Sequence, residues 1–148
     1  MIIKKILLLF LCLVIIIVGL IMYFYLVNLP INIVKASDVD KMTISNFVEE
    51  GAFATTDRIL IEDIANQINN LSYSRHKFDY ESGPDIAIHT FSKNGDMMCS
   101  FYLYGGFGNN EYYCRYEKNG KRSGYFLVDA EKLFNLAQSY LPPEKIYL

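Results

Sequence analysis

Residues 86–104, IAIHTFSKNGDMMCSFYLY, decide the fold because two alternating apolar segments flank Asn94-Gly95. Apolar side chains recur at every second position on both sides, which is the period of a half-buried strand. Asn-Gly is the strongest short-range signal for a β-hairpin. The register predicted from this turn pairs Ile86 with Leu103, Ile88 with Phe101 and Thr90 with Cys99.

A second hairpin is predicted in residues 111–128, EYYCRYEKNGKRSGYFLV, around Asn119-Gly120. Between the two hairpins lies a glycine-rich turn, GGFGNN, at 105–110. A strand follows this turn, whereas a phosphate-binding loop leads into a helix, so a hairpin connection is favoured. The register predicted for the second hairpin pairs Glu117 with Arg122, Cys114 with Tyr125 and Tyr112 with Leu127.

Two amphipathic helices are predicted beside these strands. Apolar residues recur at helical spacing over 57–71, where Thr56 or Asp57 can cap the first turn. A second helix is predicted from a capping Asp129 to the Pro142-Pro143 pair, and residues 40–48 alternate like a strand. The predicted fold class is α+β, in the order β-α-β-β-β-β-α, with an antiparallel four- to five-stranded sheet and two packing helices.

An uncharged apolar run occupies residues 6–27. As a helix it is about 33 Å long, which matches a hydrocarbon core of about 30 Å. Lys4 and Lys5 precede the run and aromatic residues lie at its far end, so the N-terminus is predicted to be cytoplasmic. The run therefore predicts a single-pass protein of the cell membrane. Its predicted parts are cytoplasmic residues 1–5, a transmembrane helix over 6–27, a linker over 28–38 and an extracytoplasmic α+β domain over 39–148.

Two other interpretations of the N-terminal run are weaker. A lipoprotein signal ending at Cys12 requires small residues before the cysteine, but Phe10 and Leu11 stand there. A cleaved signal has an apolar stretch of about 7–15 residues followed by a small-x-small site. The first such site here is at 34–36, beyond a longer run. A retained helix is therefore favoured, and Cys12 is an apolar residue within it.

The charge balance argues against a nucleic-acid partner. After the apolar run, 12 of the 14 basic and all 16 acidic residues leave a net charge of −4. These basic residues form no stripe in the sequence, whereas nucleic-acid-binding domains concentrate Lys and Arg on one surface. No nucleic acid and no cofactor are therefore predicted.

Cys99 and Cys114 fall on the same face of the predicted sheet, on adjacent strands. If the middle turn spans Gly105–Gly108, the two cysteines face each other closely enough for a disulfide. Outside the cytoplasm such a bridge is chemically permitted. If the turn is two residues longer, Cys114 faces Phe101 instead. The other interpretation is two buried thiols that act as small apolar side chains.

The opposite face of the predicted sheet is unusually aromatic, and His89 and Val128 also lie on it. Apolar patches on a surface often mark contact sites, where Tyr and Arg are enriched. The second interpretation is that a helix, the first strand or the irregular segment 72–84 covers this face. The predicted partner-binding residues are Phe91, Met98, Tyr102, Tyr113, Arg115 and Phe126.

No catalytic residue and no metal site are predicted. A cysteine nucleophile needs a base within hydrogen-bond reach, but His89 points away from Cys99 and His76 lies in the irregular segment. No serine stands in a Gly-x-Ser-x-Gly elbow. The carboxylates of Asp79, Glu81 and Asp85 have oxygen ligands suited to Ca²⁺ but not the spacing of an EF-hand loop.

Four segments carry a resemblance: KASDVDKMTI at 35–44, TTDRILIEDIANQINNL at 55–71, IAIHTFSKNGDMMCSFYLY at 86–104 and YFLVDAEKLFNLAQSYL at 125–141. Together with the apolar start, the chain resembles uncharacterised small membrane-anchored or lipoprotein-like extracytoplasmic α+β domains of Gram-positive-type bacteria. The resemblance covers roughly residues 38–141. It implies a helix before a strand meander and a closing helix, and it carries no catalytic residues.

Three functions are compatible with these features. The leading hypothesis is a membrane-tethered extracytoplasmic binding or regulatory module, without enzymatic activity, that engages a protein, peptide or envelope component. A second is an envelope-associated hydrolase that uses carboxylates such as Glu81 or Asp85. A third is an immunity-type or small-subunit protein that acts through residues 6–27 in the membrane.

Overall fold

The computed structural model describes residues 2–26, 32–46, 52–74, 83–107 and 111–142. The helices are α1 (Ile2–Leu26), α2 (Arg58–Asn69) and α3 (Glu131–Ser139), with a short 3₁₀ turn at Ala36–Asp38. The strands are β1 (Lys41–Asn46), β2 (Ala52–Thr55), β3 (Ser72–Ser74), β4 (Ile86–Phe91), β5 (Met97–Phe107), β6 (Glu111–Lys118) and β7 (Lys121–Val128).

The strands form one sheet in the order β2-β1-β4-β5-β6-β7-β3, and all neighbouring strands are antiparallel. The α+β class and the antiparallel sheet are therefore confirmed. The predicted element order is wrong because two short strands, β2 and β3, form the two edges. These strands have four and three residues, too few to show an alternating pattern.

Helix α2 links the two edges of the sheet, since β2 ends two residues before it and β3 begins two residues after it. The Asp57 side chain accepts a hydrogen bond from the Ile59 N–H at 2.9 Å, as predicted for a helix cap. The buried side of α2 packs with α3 against one sheet face. The largest core side chains include Met42, Ile44, Ile61, Ile64, Ile68, Ile88, Phe101, Leu103, Leu127 and Leu133.

The first hairpin has the predicted register over most of its length, with Ile86 opposite Leu103 and Thr90 opposite Cys99. A register shift follows between Thr90 and Phe91. At this turn only Gly95 has a positive φ, of 84°, and its N–H bonds to the Ser92 carbonyl. The turn is therefore longer than a two-residue type I′ turn.

The second hairpin keeps the predicted Glu117–Arg122 pair but then shifts register between Arg115 and Glu117. Its turn has positive φ at both Asn119 and Gly120, 51° and 72°, as a type I′ turn requires. Beyond the bulge Cys114 pairs with Leu127, so the predicted pairs Cys114–Tyr125 and Tyr112–Leu127 are wrong.

The middle hairpin places the two cysteines apart. Strands β5 and β6 pair so that Cys99 lies opposite Lys118 and Cys114 lies opposite Leu103. Both cysteines are free and buried. The direct opposition on which the predicted Cys99–Cys114 disulfide depends is therefore absent, as is the alternative pairing of Cys114 with Phe101.

Helix α3 begins without the predicted Asp129 cap. Asp129 has a φ of 62°, and Ala130 occupies the capping position without a side-chain hydrogen bond. The helix lies very close to β5, because a Cβ on Gly105 would sit 2.7 Å from the Phe134 ring. Only glycine permits this separation, and Phe134 packs against the core from this position.

The segment before β1 is held along α2 by two polar side chains. The Arg58 guanidinium donates to the Val39 and Ala36 carbonyls near the start of the helix. Near its end, Asn69 accepts from the Ile33 and Val34 N–H groups and donates to the Val34 carbonyl. Val34 and Val39 belong to the core, so these hydrogen bonds hold the segment before β1 against the domain.

Among the residues that the structure describes, no helix has the combination of length and hydropathy needed to cross a membrane. This finding contradicts the predicted transmembrane helix over 6–27, the single-pass topology and the location in the cell membrane. The large apolar side chains over 10–22 are 39–64% exposed.

Candidate functional site

The candidate site is the sheet face that points away from α2 and α3. The strand registers arrange its side chains in rows that run across β4, β5, β6 and β7. We call this surface the outer face, and its members are Phe91, His89, Ser100, Tyr102, Tyr104, Tyr113, Arg115, Glu117, Phe126 and Val128.

The middle row of the outer face is centred on Arg115. Arg115 pairs with Tyr102 on one side and with Phe126 on the other, so it lies between two aromatic side chains. Its guanidinium carbon lies 5.1 Å from the centre of the Tyr102 ring, which is a cation–π contact. All three side chains are half-buried.

A neighbouring row is filled by stacked rings. Tyr104 and Tyr113 stack with their ring centres 4.9 Å apart, and the Phe126 ring meets the edge of Tyr113 at 6.1 Å. Tyr113 is only 6% exposed. The outer face is therefore closed at Tyr104 and Tyr113 and half-buried at Phe91, Tyr102, Arg115 and Phe126.

Five of the six predicted partner-binding residues lie on the outer face, and Met98 does not. Met98 packs against the core instead. The register shift beside Thr90 places Met97 opposite Phe91. Met97 accepts a hydrogen bond from the Ser100 hydroxyl at 3.4 Å and is 51% exposed. The prediction for Met98 is therefore corrected.

Arg115 carries a positive charge that has no anionic partner among the described residues. Within the described residues its guanidinium makes no ion pair or hydrogen bond, and its buried Nε–H has no acceptor. Glu117, two positions along β6, pairs with Arg122 at 3.1 Å. Among the described contacts, the cation–π contact with Tyr102, rather than a hydrogen bond, positions the guanidinium.

A polar pair on the outer face was not predicted from the sequence. His89 Nδ1 lies 2.9 Å from Ser100 Oγ, and the two residues are opposite each other in β4 and β5. The predicted hairpin register already placed them together, so the signal was available. Ser100 is 2% exposed, which leaves its hydroxyl closed to a substrate. The pair is therefore structural rather than nucleophilic.

Burial lowers the pKa of His89 from its ordinary value, and the negative charge of Glu117 opposes this effect in part. The unfolded chain consequently takes up this proton first, at a pKa near 6.5. We expect the free energy of unfolding to be highest above about pH 6.5 and to decline as the pH falls towards the lowered native pKa. Urea titrations at pH 7.5 and pH 5.5 measure this decline.

A matched variant isolates the contribution of His89. His89→Gln keeps a hydrogen-bonding side chain opposite Ser100 but cannot titrate, so the decline between the two pH values should be smaller. His76, the other histidine of the chain, is present in both proteins and cancels in the comparison. An equal decline in the two proteins would contradict the assignment.

The described cysteines of the sheet are unsuited to nucleophilic chemistry. Burial raises the pKa of Cys99, although Lys118 and a hydrogen bond with Thr90 act in the opposite direction. Burial also raises the pKa of Cys114, which is fully enclosed in the core. Both groups are therefore thiols at neutral pH, and the thiolate is the reactive form.

The carboxylates considered above as cation ligands or as hydrolase groups are only partly described. The Asp85 carboxylate accepts a hydrogen bond from the Gly105 N–H at 2.8 Å and so fixes the end of β5. Asp79, Glu81 and His76 lie outside the described residues. Within the described part of the chain, no three His, Cys, Asp or Glu side chains are placed to hold a metal ion.

A separate groove lies between the end of α2 and the start of α3. Its lining mixes acidic, basic, amide and apolar side chains, so it selects no single ligand charge. The buried Gln67 Oε1 beside it has no hydrogen-bond partner among the described residues, but this atom is closed to the groove. The lining residues are Gln67, Asn70, Leu71, Asp129, Glu131, Lys132 and Leu133.

Known proteins give no relative for this arrangement. The chain matches no protein-family model, no curated protein and no solved structure. The resemblance to small extracytoplasmic domains thus stays a prediction, and functional inference depends on the outer face itself.

Proposed function

We propose that this chain is a non-catalytic binding module that engages a protein or peptide through its outer face. One observation carries the proposal: Tyr102, Arg115 and Phe126 are all half-buried and occupy adjacent positions across β5, β6 and β7 on one sheet face. Tyr, Phe and Arg are enriched at the centres of protein interfaces. Such residues also contribute most of the binding energy there.

The described nucleophiles and carboxylates favour binding over catalysis. The Ser100 hydroxyl and the Cys114 thiol are buried, so neither can reach a substrate. Asp85, one of the two carboxylates considered for a hydrolase, is bonded to the Gly105 backbone. Burial and this hydrogen bond give all three groups structural roles. The outer face is therefore the strongest candidate for a functional surface.

Tyr102→Ala tests the proposal because it removes the ring on which Arg115 stacks. Cross-linking in native cells, followed by mass spectrometry, would identify a protein captured by the full chain. We expect Tyr102→Ala to reduce its recovery about tenfold or more, as for an interface hot spot of about 2 kcal/mol. Ile59→Ala, at an exposed position of α2 on the other side of the sheet, should leave recovery unchanged.

The variants need equal folding for this comparison, which thermal melting of each protein would establish. Equal recovery of the same protein by wild type, Tyr102→Ala and Phe126→Ala would overturn the proposal. Failure of the wild-type chain to enrich any protein over a scrambled-sequence control would also overturn it.

A further inference from the structure

We propose that Arg115 receives a carboxylate from an acidic residue of a bound peptide. This inference rests on the proposed function and names the partner chemistry at its centre. It begins from the position of Arg115 in the middle row, with Tyr102 and Phe126 as its cross-strand neighbours. The Tyr102 ring, 5.1 Å from the guanidinium carbon, displaces part of the water around this charge, which lowers the local dielectric constant and strengthens a charge interaction.

The charge of Arg115 is unsatisfied in the described part of the chain. Removing a charged group from water is costly unless it gains a partner. The nearest carboxylate along β6, that of Glu117, is committed to Arg122. Within the described residues, the desolvation free energy of this half-buried cation is therefore not offset by an ion pair. An incoming anion would neutralise its charge.

The geometry of the guanidinium favours a planar, bidentate anion. Arginine presents parallel N–H donors that match the two oxygens of a carboxylate. Since the Nε of Arg115 is closed to solvent, the two Nη groups are the donors that can receive it. Stacking on Tyr102 restricts the plane of the fork before binding, which reduces the entropy lost on association.

The surrounding charges favour a carboxylate over a phosphate or a nucleic acid. Phosphate recognition in proteins commonly uses clusters of basic residues. Here Arg122 is paired with Glu117, and Lys41 lies over the Phe91 ring at 6.0 Å. A single guanidinium without an anionic partner among the described residues fits a single negative charge. Phe126, its cross-strand neighbour on β7, fits an apolar side chain next to the acidic one.

A random peptide library displayed on phage tests this specificity directly with the full chain as the target. We expect wild type to enrich peptides with Asp or Glu next to an aromatic or aliphatic residue. Arg115→Gln should lose the acidic preference and keep the apolar one, whereas Arg115→Glu should enrich Lys and Arg. Lys121→Gln, at an exposed position of β7, should leave the acidic preference intact.

The affinity of one selected peptide completes the test. Replacing its acidic residue by the corresponding amide should weaken binding to wild type about tenfold or more and binding to Arg115→Gln less than twofold. If Arg115→Gln does not fold, the comparison of the acidic peptide with its amide counterpart on wild type is sufficient. Equal affinity of wild type for these two peptides would overturn the inference. All these proteins share the exposed apolar side chains of α1. Any peptide binding to α1 is therefore the same in each protein and does not affect the comparison.

The outcomes separate this inference from the proposed function. Peptides that bind in a Tyr102-dependent manner without any acidic preference would overturn the role of Arg115 and leave the binding module standing. The absence of any Tyr102-dependent peptide would overturn both.

Discussion

Phe101→Ala is expected to lower the free energy of unfolding by about 3–5 kcal/mol, the largest effect of any substitution considered for this chain. Phe101 is fully buried in the central strand β5, opposite Ile88 on β4 and Tyr116 on β6. Removing its ring eliminates apolar contacts and leaves a cavity that the flanking strands can only partly fill. Urea unfolding followed by circular dichroism measures the change.

Met97→Ala provides the matched control for Phe101→Ala. Met97 lies on the same strand, but half of its surface faces solvent. Its removal should change the free energy of unfolding by about 0.5 kcal/mol or less. A loss below about 1 kcal/mol for Phe101→Ala would place that ring outside the core and contradict the helix-covered face.

Asn69→Ala is expected to cost about 2–3 kcal/mol because one side chain makes three hydrogen bonds. Its Oδ1 accepts from the Ile33 and Val34 N–H groups at 2.9 and 3.1 Å, and its Nδ2 donates to the Val34 carbonyl at 2.7 Å. The substitution leaves these backbone groups without their partners and loosens Val34 from the core. The same urea titration measures this effect.

Asn70→Ala is the control for Asn69→Ala, since Asn70 is exposed at the adjacent position. Its replacement should change stability by about 0.5 kcal/mol or less. Equal effects at the two positions would indicate that helix propensity, rather than the contact with residues 33–34, determines the loss.

The elements that depend on local signals were predictable. The Asp57 cap and the apolar stripe of α2 lie within one segment, and the Asn94-Gly95 turn specifies most of the β4–β5 register. Elements that depend on distant partners were not. Strands β2 and β3 are short edge strands that become regular only by pairing with β1 and β7. The Asn69 hydrogen bonds depend on a segment 35 residues away.

The errors at the candidate site arise from bulges and from one turn. The number of residues in the glycine-rich connection between β5 and β6 could not be read from the sequence. The predicted register between these two strands was therefore wrong, and the two cysteines lie apart. The bulge beside Thr90 moved Met98 to the core side. Alternation alone nevertheless placed Tyr102, Arg115 and Phe126 on one face, because side-chain direction in a strand depends only on position.

The connection of both sheet edges through α2 bears on cooperativity. Strands β4 to β7 are joined in sequence by hairpins, whereas β2 and β3 are joined to each other by one helix that packs on the core. An edge strand of three or four residues forms too few hydrogen bonds to persist by itself. The two edges therefore depend on the docking of the same helix and belong to one unfolding unit, although the whole width of the sheet separates them.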